Sequence, residues 1–361
     1  MLTLGFIPNL HNPVVVKVKQ VAYVGLIFAG IVFCLWTVID GTDILDHTYL
    51  LFNMLFLFAQ YQALLDALLF IKLQNTNLYK FTDFFNFIVS TKIGRLPQIR
   101  QSILTQTIKY GIIFVRLLYF FATLSTVVVW FYALTYTNYS SPMFSKIPYL
   151  PTTSILFYPV NVVVQTLTLI LFVSGVVIND ALGVVFVSYF NAEFDCISKL
   201  SEKLNDASSM ECPKMLHEIY IAHKMAYELF SELKNYLWHS YLHKLVTACG
   251  YLVIIVYVLQ FSAVTLAIVC SGVTVFYHVF TLCFVGQLNI NSSESLSLSL
   301  YMTKWYEMSA VNQKRLMFML RISQSGIGIN SFGVDAISSN TFVGLVRAAL
   351  SYAAILYTFL N

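Results

Sequence analysis

Seven apolar stretches dominate this chain of 361 residues. Each has about the 20 residues that a helix needs to cross the hydrocarbon core of a bilayer. With 58% hydrophobic and only 11% charged residues, the composition is that of a polytopic membrane protein and not of a soluble domain. The predicted spans lie near 20–38, 48–71, 110–135, 155–179, 245–265, 268–288 and 336–360.

The basic residues are distributed unevenly between the segments that join these spans. With a cytoplasmic N-terminus, 18 of the 21 Lys and Arg residues fall in cytoplasmic segments. The outer segments then keep only Lys146, and Arg116 and Arg347 lie within spans. Basic residues remain on the cytoplasmic side because they are costly to translocate and the leaflet there is anionic. We therefore predict a cytoplasmic N-terminus and an extracellular C-terminus, an orientation opposite to that of G-protein-coupled receptors.

The sequence has few motifs that would indicate catalysis, metal binding or cofactor binding. The six cysteines form no C-x-x-C pair, so neither a disulfide nor a zinc–thiolate site is expected. The sequence contains no P-loop, glycine-rich nucleotide loop or Ser/His/Asp set, and we expect no catalytic residue and no cofactor. The scattered basic residues do not predict nucleic-acid binding. Asn138 begins a glycosylation sequon in the outer loop 137–153.

The cytoplasmic segments differ in pattern. Residues 72–108 form a charged inner loop. A helix over 155–190 would be about 50 Å long and should project into the cytoplasm. In 192–244, apolar residues recur at helical spacing and predict a cytoplasmic helical bundle, with a solvated loop as the alternative. The residues in question are Phe194, Ile197, Leu200, Leu204, Met215, Ile219, Ala222, Tyr227, Phe230 and Leu233. A further amphipathic helix is predicted over 305–322.

These patterns divide the chain into five segments. Residues 1–190 hold spans one to four, 191–244 form the cytoplasmic helical loop, and 245–290 hold spans five and six. Residues 291–335 form a cytoplasmic anchor segment, and 336–361 hold the seventh span.

Two segments carry a resemblance to a known family. Residues 283–307 resemble the inner segment that follows the sixth span of insect odorant receptors, in which a Cys and a Gly end the helix. The matching residues are Cys283, Gly286, Ser293, Glu294, Tyr301, Trp305 and Tyr306. Residues 340–356 are similar to the last helix of that family, including Thr341, Phe342 and the Ser351–Tyr352 pair. Gustatory receptors have a similar tail, but the Tyr-x-x-x-Trp-Tyr segment favours the odorant branch.

The resemblance implies an all-α subunit of a tetrameric, ligand-gated, non-selective cation channel. Its partners would be olfactory co-receptor subunits in a heterotetramer, a small volatile ligand and membrane lipid, with no G protein required. The co-receptor has a longer second inner loop, so a tuning subunit is the closer match. Its expected location is the plasma membrane of olfactory sensory neuron dendrites.

The last span carries a polar stripe. At about 100° per residue, Arg347, Ser351 and Thr358 fall within roughly 40° of one another. The stripe faces either a pore or a partner helix that packs on small residues. The resemblance favours the pore and places a hydrophobic gate at Ile355, about 60° from the stripe. A narrow apolar ring closes a pore by dewetting.

We expect the odorant pocket in the outer halves of spans two, three, four and six. Aromatic rings bury a volatile well and a few polar groups orient it, although 16% aromatic residues also suit ordinary packing. The candidates are Phe52, Phe56, Ser125, Trp130, Tyr158, Gln165 and Tyr277. Asp66 and Asp180 are interpreted as interfacial ionised side chains.

Two alternatives remain at this point. The first is a homotetrameric, gustatory-type ligand-gated channel. The second is a zinc-dependent seven-span membrane hydrolase, since His239 and His243 share one helix face. That enzyme would need a third ligand, and His47 and His278 are interpreted as isolated. We therefore expect no metal site.

Overall fold

The computed structural model of the chain describes residues 13–40, 47–76, 78–90, 96–136, 145–150, 153–208, 210–261, 266–324, 328–329 and 336–360. Over these ranges the regular structure is entirely helical. The helices are α1 (Pro13–Asp40), α2 (His47–Thr76), α3 (Leu78–Ser90), α4 (Leu96–Tyr136), α5 (Phe157–Glu202), α6 (Cys212–Phe261), α7 (Leu266–Tyr301), α8 (Ala310–Gln324) and α9 (Ser339–Leu360).

Six of these helices, α1, α2, α4, α5, α6 and α7, are long and apolar enough to cross a membrane. Helix α9 has 22 residues, about 33 Å at 1.5 Å per residue, and corresponds to the seventh predicted span. Helices α4, α5 and α7 pack closely on one another, α2 lies against α5 and α6, and α9 packs mainly on α6. The predicted all-α, seven-span fold is confirmed.

The helices run further than the spans that they contain. Helix α6 has 50 residues, so the second half of the predicted cytoplasmic loop and span five form one rod of about 75 Å. Helix α7 continues through Gly286 to Tyr301, and the expectation that a Cys and a Gly end this helix is wrong. Gly286 has a different role: a Cβ there would lie 2.4 Å from the carbonyl oxygen of Ile337. The glycine therefore lets the chain before α9 lie directly against α7.

The predicted inner loop 72–108 is also largely helical, and that interpretation is wrong for α3 and the start of α4. Helix α3 forms because Phe81, Phe84 and Phe85 lie on one face at helical spacing. Phe81 and Phe84 are buried against Phe190 of α5, at ring-centroid distances of 6.5 and 5.4 Å. The signal was present in the sequence, since the apolar residues of 78–90 recur at helical spacing. The predicted helix over 305–322 is a short 3₁₀ turn (Trp305–Glu307) followed by α8.

The cytoplasmic bundle has its own core, as the periodicity of 192–244 predicts. Phe194, Ile197, Leu200 and Ile219 are fully buried, and Phe230 packs edge-to-face on Phe194 and Phe190. Burying each of these large side chains stabilises the bundle by about 1.5–3 kcal/mol. The bundle interpretation is confirmed over these residues, and the solvated-loop alternative is excluded.

One ion pair inside this end of the molecule is itself buried. The Arg100 guanidinium of α4 donates two hydrogen bonds to the Glu193 carboxylate of α5, one of them over 2.8 Å from Nε to Oε2. Arg100 is 6% exposed and Glu193 is 2% exposed. Such bidentate geometry fixes the register of the two helices.

Candidate functional site

A cavity lies among α2, α4, α5, α6 and α7, towards the outer half of the predicted spans. Its volume is ≈ 190 Å³, and its walls are mostly apolar. An apolar cavity of about 150 Å³ holds benzene, so this one admits a ring with a short side chain. The apolar wall includes Leu55, Phe56, Leu118, Leu169, Phe172 and Ile255.

Aromatic contact sets the shape of one side of the cavity. The rings of Phe56 on α2 and Phe172 on α5 meet edge to face, with centroids 5.2 Å apart. Both side chains are almost fully buried. Edge-to-face pairs favour a fixed ring orientation, so this wall is rigid.

Four hydroxyl groups on the wall are already bonded within the protein. Thr126 donates to the Ala122 carbonyl oxygen over 2.6 Å and Ser271 to the Ala267 carbonyl oxygen over 2.8 Å. Ser125 Oγ and Ser271 Oγ lie 3.5 Å apart, and Thr274 is within 3.0 Å of the Phe121 carbonyl oxygen. The hydroxyls of Thr126, Ser271 and Thr274 each lie within hydrogen-bond distance of a carbonyl oxygen of their own helix and are therefore engaged before a ligand arrives.

Charged side chains meet at the cytoplasmic end of the cavity, where Asp180 and His278 form part of its wall. Asp180 Oδ1 accepts a hydrogen bond from Lys244 Nζ over 2.6 Å, and Asp180 Oδ2 lies 2.7 Å from His278 Nδ1. Lys244 Nζ also lies 3.6 Å from Asp66 Oδ1. His243 Nε2 is 2.9 Å from the same oxygen. We call these five side chains the polar floor.

The polar floor corrects two interpretations made from the sequence. Asp66 and Asp180 are not interfacial side chains, since they are 1% and 2% exposed and paired with Lys244. His278 is not isolated, because it lies against Asp180. The side chains that contact one another in this set are 64 to 178 positions apart along the chain, so no local pattern connects them. A carboxylate within an apolar span usually has a charged or polar partner, and this rule could have predicted the pairing of Asp66 and Asp180.

The structure brings only some of the predicted pocket residues to the cavity. Phe56 and Ser125 form part of its wall. Trp130, Tyr158, Gln165 and Tyr277 lie outside it. Trp130 donates to Thr166 Oγ1 over 2.9 Å, and Tyr277 OH donates to the Phe114 carbonyl oxygen over 3.3 Å. Tyr158 is half-buried against the hydrophobic core.

Gln165 has a different contact. Its side-chain amide is hydrogen-bonded to the backbone of Ser145 at both ends, and this holds the segment 145–150 against α5. The Phe52 side chain and Asn138 lie outside the described residues.

The polar stripe of α9 is uncovered within the single chain. Arg347, Ser351, Ile355 and Thr358 are all exposed, with Ile355 at 48%. The helix turns Ala349 and Ala353 inward, where both are buried. Small residues let α9 lie close to the rest of the bundle. The stripe therefore faces away from the subunit that carries it.

The histidine pair proposed for zinc has other contacts. His243 is engaged by Asp66, and the His239 ring packs on Trp238 with centroids 4.3 Å apart. Within the described ranges, no group of three or more His, Cys, Asp or Glu side chains is arranged to hold a metal ion.

An apolar cavity in a seven-span all-α bundle with an intracellular helical anchor is typical of a membrane protein that binds a small ligand. The family model described as 7tm Odorant receptor matches residues 42–350. The chain therefore belongs to the odorant receptor family.

Similar proteins agree with this assignment. A Drosophila melanogaster protein named "Putative odorant receptor 92a" is 26% identical over 204 residues, 52% of this chain and 47% of that protein. The match thus spans about half the length of that relative. The olfactory receptor OR5 of Machilis hrabei in complex with eugenol has the same fold, with a TM-score of 0.83 at 14% identity over 98% of this chain and 92% of that one. A second structure of OR5 from Machilis hrabei gives a TM-score of 0.81 at 15% identity, over 97% of this chain and 91% of that one.

Proposed function

We propose that this chain is the tuning subunit of an odorant-gated, non-selective cation channel. A volatile binds in the cavity among α2, α4, α5, α6 and α7, and binding opens a pore lined by α9. The observation that carries the proposal is the apolar cavity between the helices, whose ≈ 190 Å³ suit a small organic molecule and not a peptide or an ion. The structure of OR5 in complex with eugenol supports a ligand of this size.

The uncovered stripe on α9 supports the pore. Arg347, Ser351 and Thr358 would face a water-filled path, and Ile355 would form the apolar constriction. In an assembly of four subunits around one axis, each α9 contributes one such face. Residues 336–361 would then be the pore segment, while 191–244 and 291–335 form the anchor that joins subunits.

Exposed apolar residues at the cytoplasmic end support assembly with other subunits. Tyr301, Met302, Trp305, Tyr306, Met317 and Phe318 are between 47% and 67% exposed on the end of α7, the 3₁₀ turn and α8. Contiguous exposed apolar surface of this kind marks protein–protein contact. The partner in the proposal is the olfactory co-receptor, and the site of action is the plasma membrane of olfactory neuron dendrites.

Whole-cell recording tests the proposal. Cells would express this chain alone, the co-receptor alone or both, and receive a panel of small volatiles. We expect cation current that depends on the volatile and requires both chains, with no GTP dependence. Volatile-gated current from this chain alone would replace the heteromeric assembly with the homotetrameric, gustatory-type channel. Absence of current from any surface-expressed combination across the panel would contradict the proposal.

A further inference from the structure

One charged side chain within a span has no part in the cavity or in the stripe of α9. Arg116 lies in the third predicted span, and the structure places it on the exposed face of α4. The large apolar side chains around it are between 42% and 59% exposed: Ile112, Ile113, Tyr119 and Phe120. A charge on such a membrane-facing surface is costly unless it reaches the interface or binds a counter-charge.

Lys109 is a second cation on the same face. It lies seven residues before Arg116, about 10 Å along the helix axis and roughly 20° around it. Both side chains are exposed. The opposite face of α4 is packed, since Leu118 is buried and a Cβ at Gly111 would lie 3.1 Å from Ser188 Oγ of α5. Lys109 and Arg116 therefore both point away from the subunit that carries them.

The described part of the chain supplies no counter-charge to these two cations. Helix α4 itself contains no Asp or Glu. Its third basic residue, Arg100, is paired with Glu193. Neither Lys109 nor Arg116 forms an ion pair within the described residues. The anion that balances them must come from outside the chain.

The position of α4 indicates the source of that anion. Helix α4 packs on α5 and α7, whereas α9 packs mainly on α6, so the two cations do not lie beside the proposed pore helix. The chain enters α4 from the cytoplasm, and a helical Cα–Cβ bond tilts towards the N-terminus of its helix. Both long side chains therefore lean towards the headgroups of the inner leaflet. Tyr110, which is 55% exposed beside Lys109, is typical of that interface.

We propose that Lys109 and Arg116 bind an anionic phospholipid of the inner leaflet. The deeper Arg116 binds the phosphodiester, to which a guanidinium offers two parallel donors. Lys109 lies nearer to the cytoplasm and binds a second negative charge on the headgroup, such as the carboxylate of phosphatidylserine. Phosphatidylcholine presents a quaternary ammonium at that level, which Lys109 repels. The acyl chains lie against Ile112, Ile113 and Phe120. The inference depends on membrane insertion and not on the proposed odorant-gated channel.

Lipid titration of the full chain, purified and delipidated in detergent, tests the inference by native mass spectrometry. The probes are phosphatidylserine and phosphatidylcholine with identical acyl chains, and soluble glycerophosphoserine as a competitor. We expect phosphatidylserine to bind about fivefold more tightly than phosphatidylcholine, which corresponds to about 1 kcal/mol for one further charge contact. Glycerophosphoserine should not displace the lipid, because the acyl chains contribute to binding. Equal affinity for the two lipids, or displacement by the soluble headgroup at an equal concentration, would overturn the inference.

Variants separate the roles of the two cations. Lys109→Gln should abolish the fivefold preference while phosphatidylcholine still binds, and Arg116→Gln should weaken the binding of both lipids about fivefold. Lys214→Gln, at an exposed lysine near the start of α6, is the control and should change neither affinity. The melting temperature in lipid-free detergent reports folding and should match that of the wild-type chain in all three variants.

Two results with these variants would also overturn the inference. One is a preference for phosphatidylserine that persists in Lys109→Gln. The other is Arg116→Gln protein that binds both lipids normally but no longer assembles with the co-receptor. That second result would assign the exposed face of α4 to a contact with a neighbouring subunit instead of a lipid.

Discussion

At the scale of single residues, the buried charges are the most sensitive points of this molecule. Arg100 and Glu193 are held in a bidentate pair with almost no solvent contact. Lys80 and Glu232 form a similar pair at 3.0 Å, but both are more than a third exposed. Water screens the second pair and not the first, so loss of one partner has very different effects at the two positions.

We predict that Arg100→Met destabilises the protein by about 3–5 kcal/mol, because the Glu193 carboxylate is left buried without a partner. Lys80→Met is the matched control and should cost at most about 1 kcal/mol. Thermal unfolding of detergent-solubilised protein, followed by size-exclusion fluorescence, measures both. The double variant Arg100→Met/Glu193→Leu should recover most of the loss. Equal melting temperatures for the two single variants would contradict the prediction.

A second prediction at this scale concerns glycine. Gly286→Ala brings a methyl group to within 2.4 Å of the Ile337 carbonyl oxygen, a backbone atom that cannot rotate away. We expect overpacking of about 1–3 kcal/mol and impaired gating, because the chain leading into α9 is displaced. Gly25 has no atom within 4 Å of such a methyl group, so Gly25→Ala should be neutral or slightly stabilising. Melting temperature and odorant dose–response curves distinguish the two variants.

At the scale of helices, hydrophobicity predicted the spans and periodicity predicted the bundle core. Phe194, Ile197 and Leu200 follow helical spacing, and burial at that spacing is what tertiary packing requires. Helix α3 was missed although its apolar residues recur at helical spacing, because the segment was treated as one loop between spans. The continuity of α6 could not be predicted, because each of its halves has a helical pattern of its own. The partners of Asp180 are Lys244 on α6 and His278 on α7, so the polar floor becomes visible only in the folded chain.

The gate is a prediction about one helix. Ile355→Ala removes the side chain proposed to form the apolar constriction, so the closed pore should hydrate and leak. Leu350→Ala is the matched control, since Leu350 is also exposed on α9 (54% against 48%) but lies about 140° around the helix. Resting current in the absence of odorant measures the effect. A larger leak in Leu350→Ala than in Ile355→Ala would place the constriction on a different face.

At the scale of the whole molecule, the cytoplasmic end carries large apolar side chains that the described part of the chain leaves exposed. The exposed apolar side chains around the 3₁₀ turn and α8 lie on the same cytoplasmic end as the buried bundle core. We predict that Met317→Glu together with Phe318→Glu reduces assembly with the co-receptor by at least tenfold, because charges enter a desolvated contact. The control is Ile221→Glu, which places a charge at an exposed apolar residue of α6 that is not one of these side chains. Native-gel mobility of the purified complex measures assembly. Intact complexes from the double variant would exclude this surface from the interface.

Helix α6 has a consequence for the energetics of the receptor. One unbroken helix carries Tyr251 and Ile255 at the cavity and Lys244 at the polar floor, and α9 packs along it. In the proposed channel, ligand and pore would therefore act on the same helix, and the free energy that couples them would be reciprocal. The open state would then bind the odorant more tightly by the same factor by which the odorant favours opening, and a change that favours opening would tighten binding by at most that factor. A substitution at the far end of α9 should thus raise the sensitivity of a cavity that it never touches.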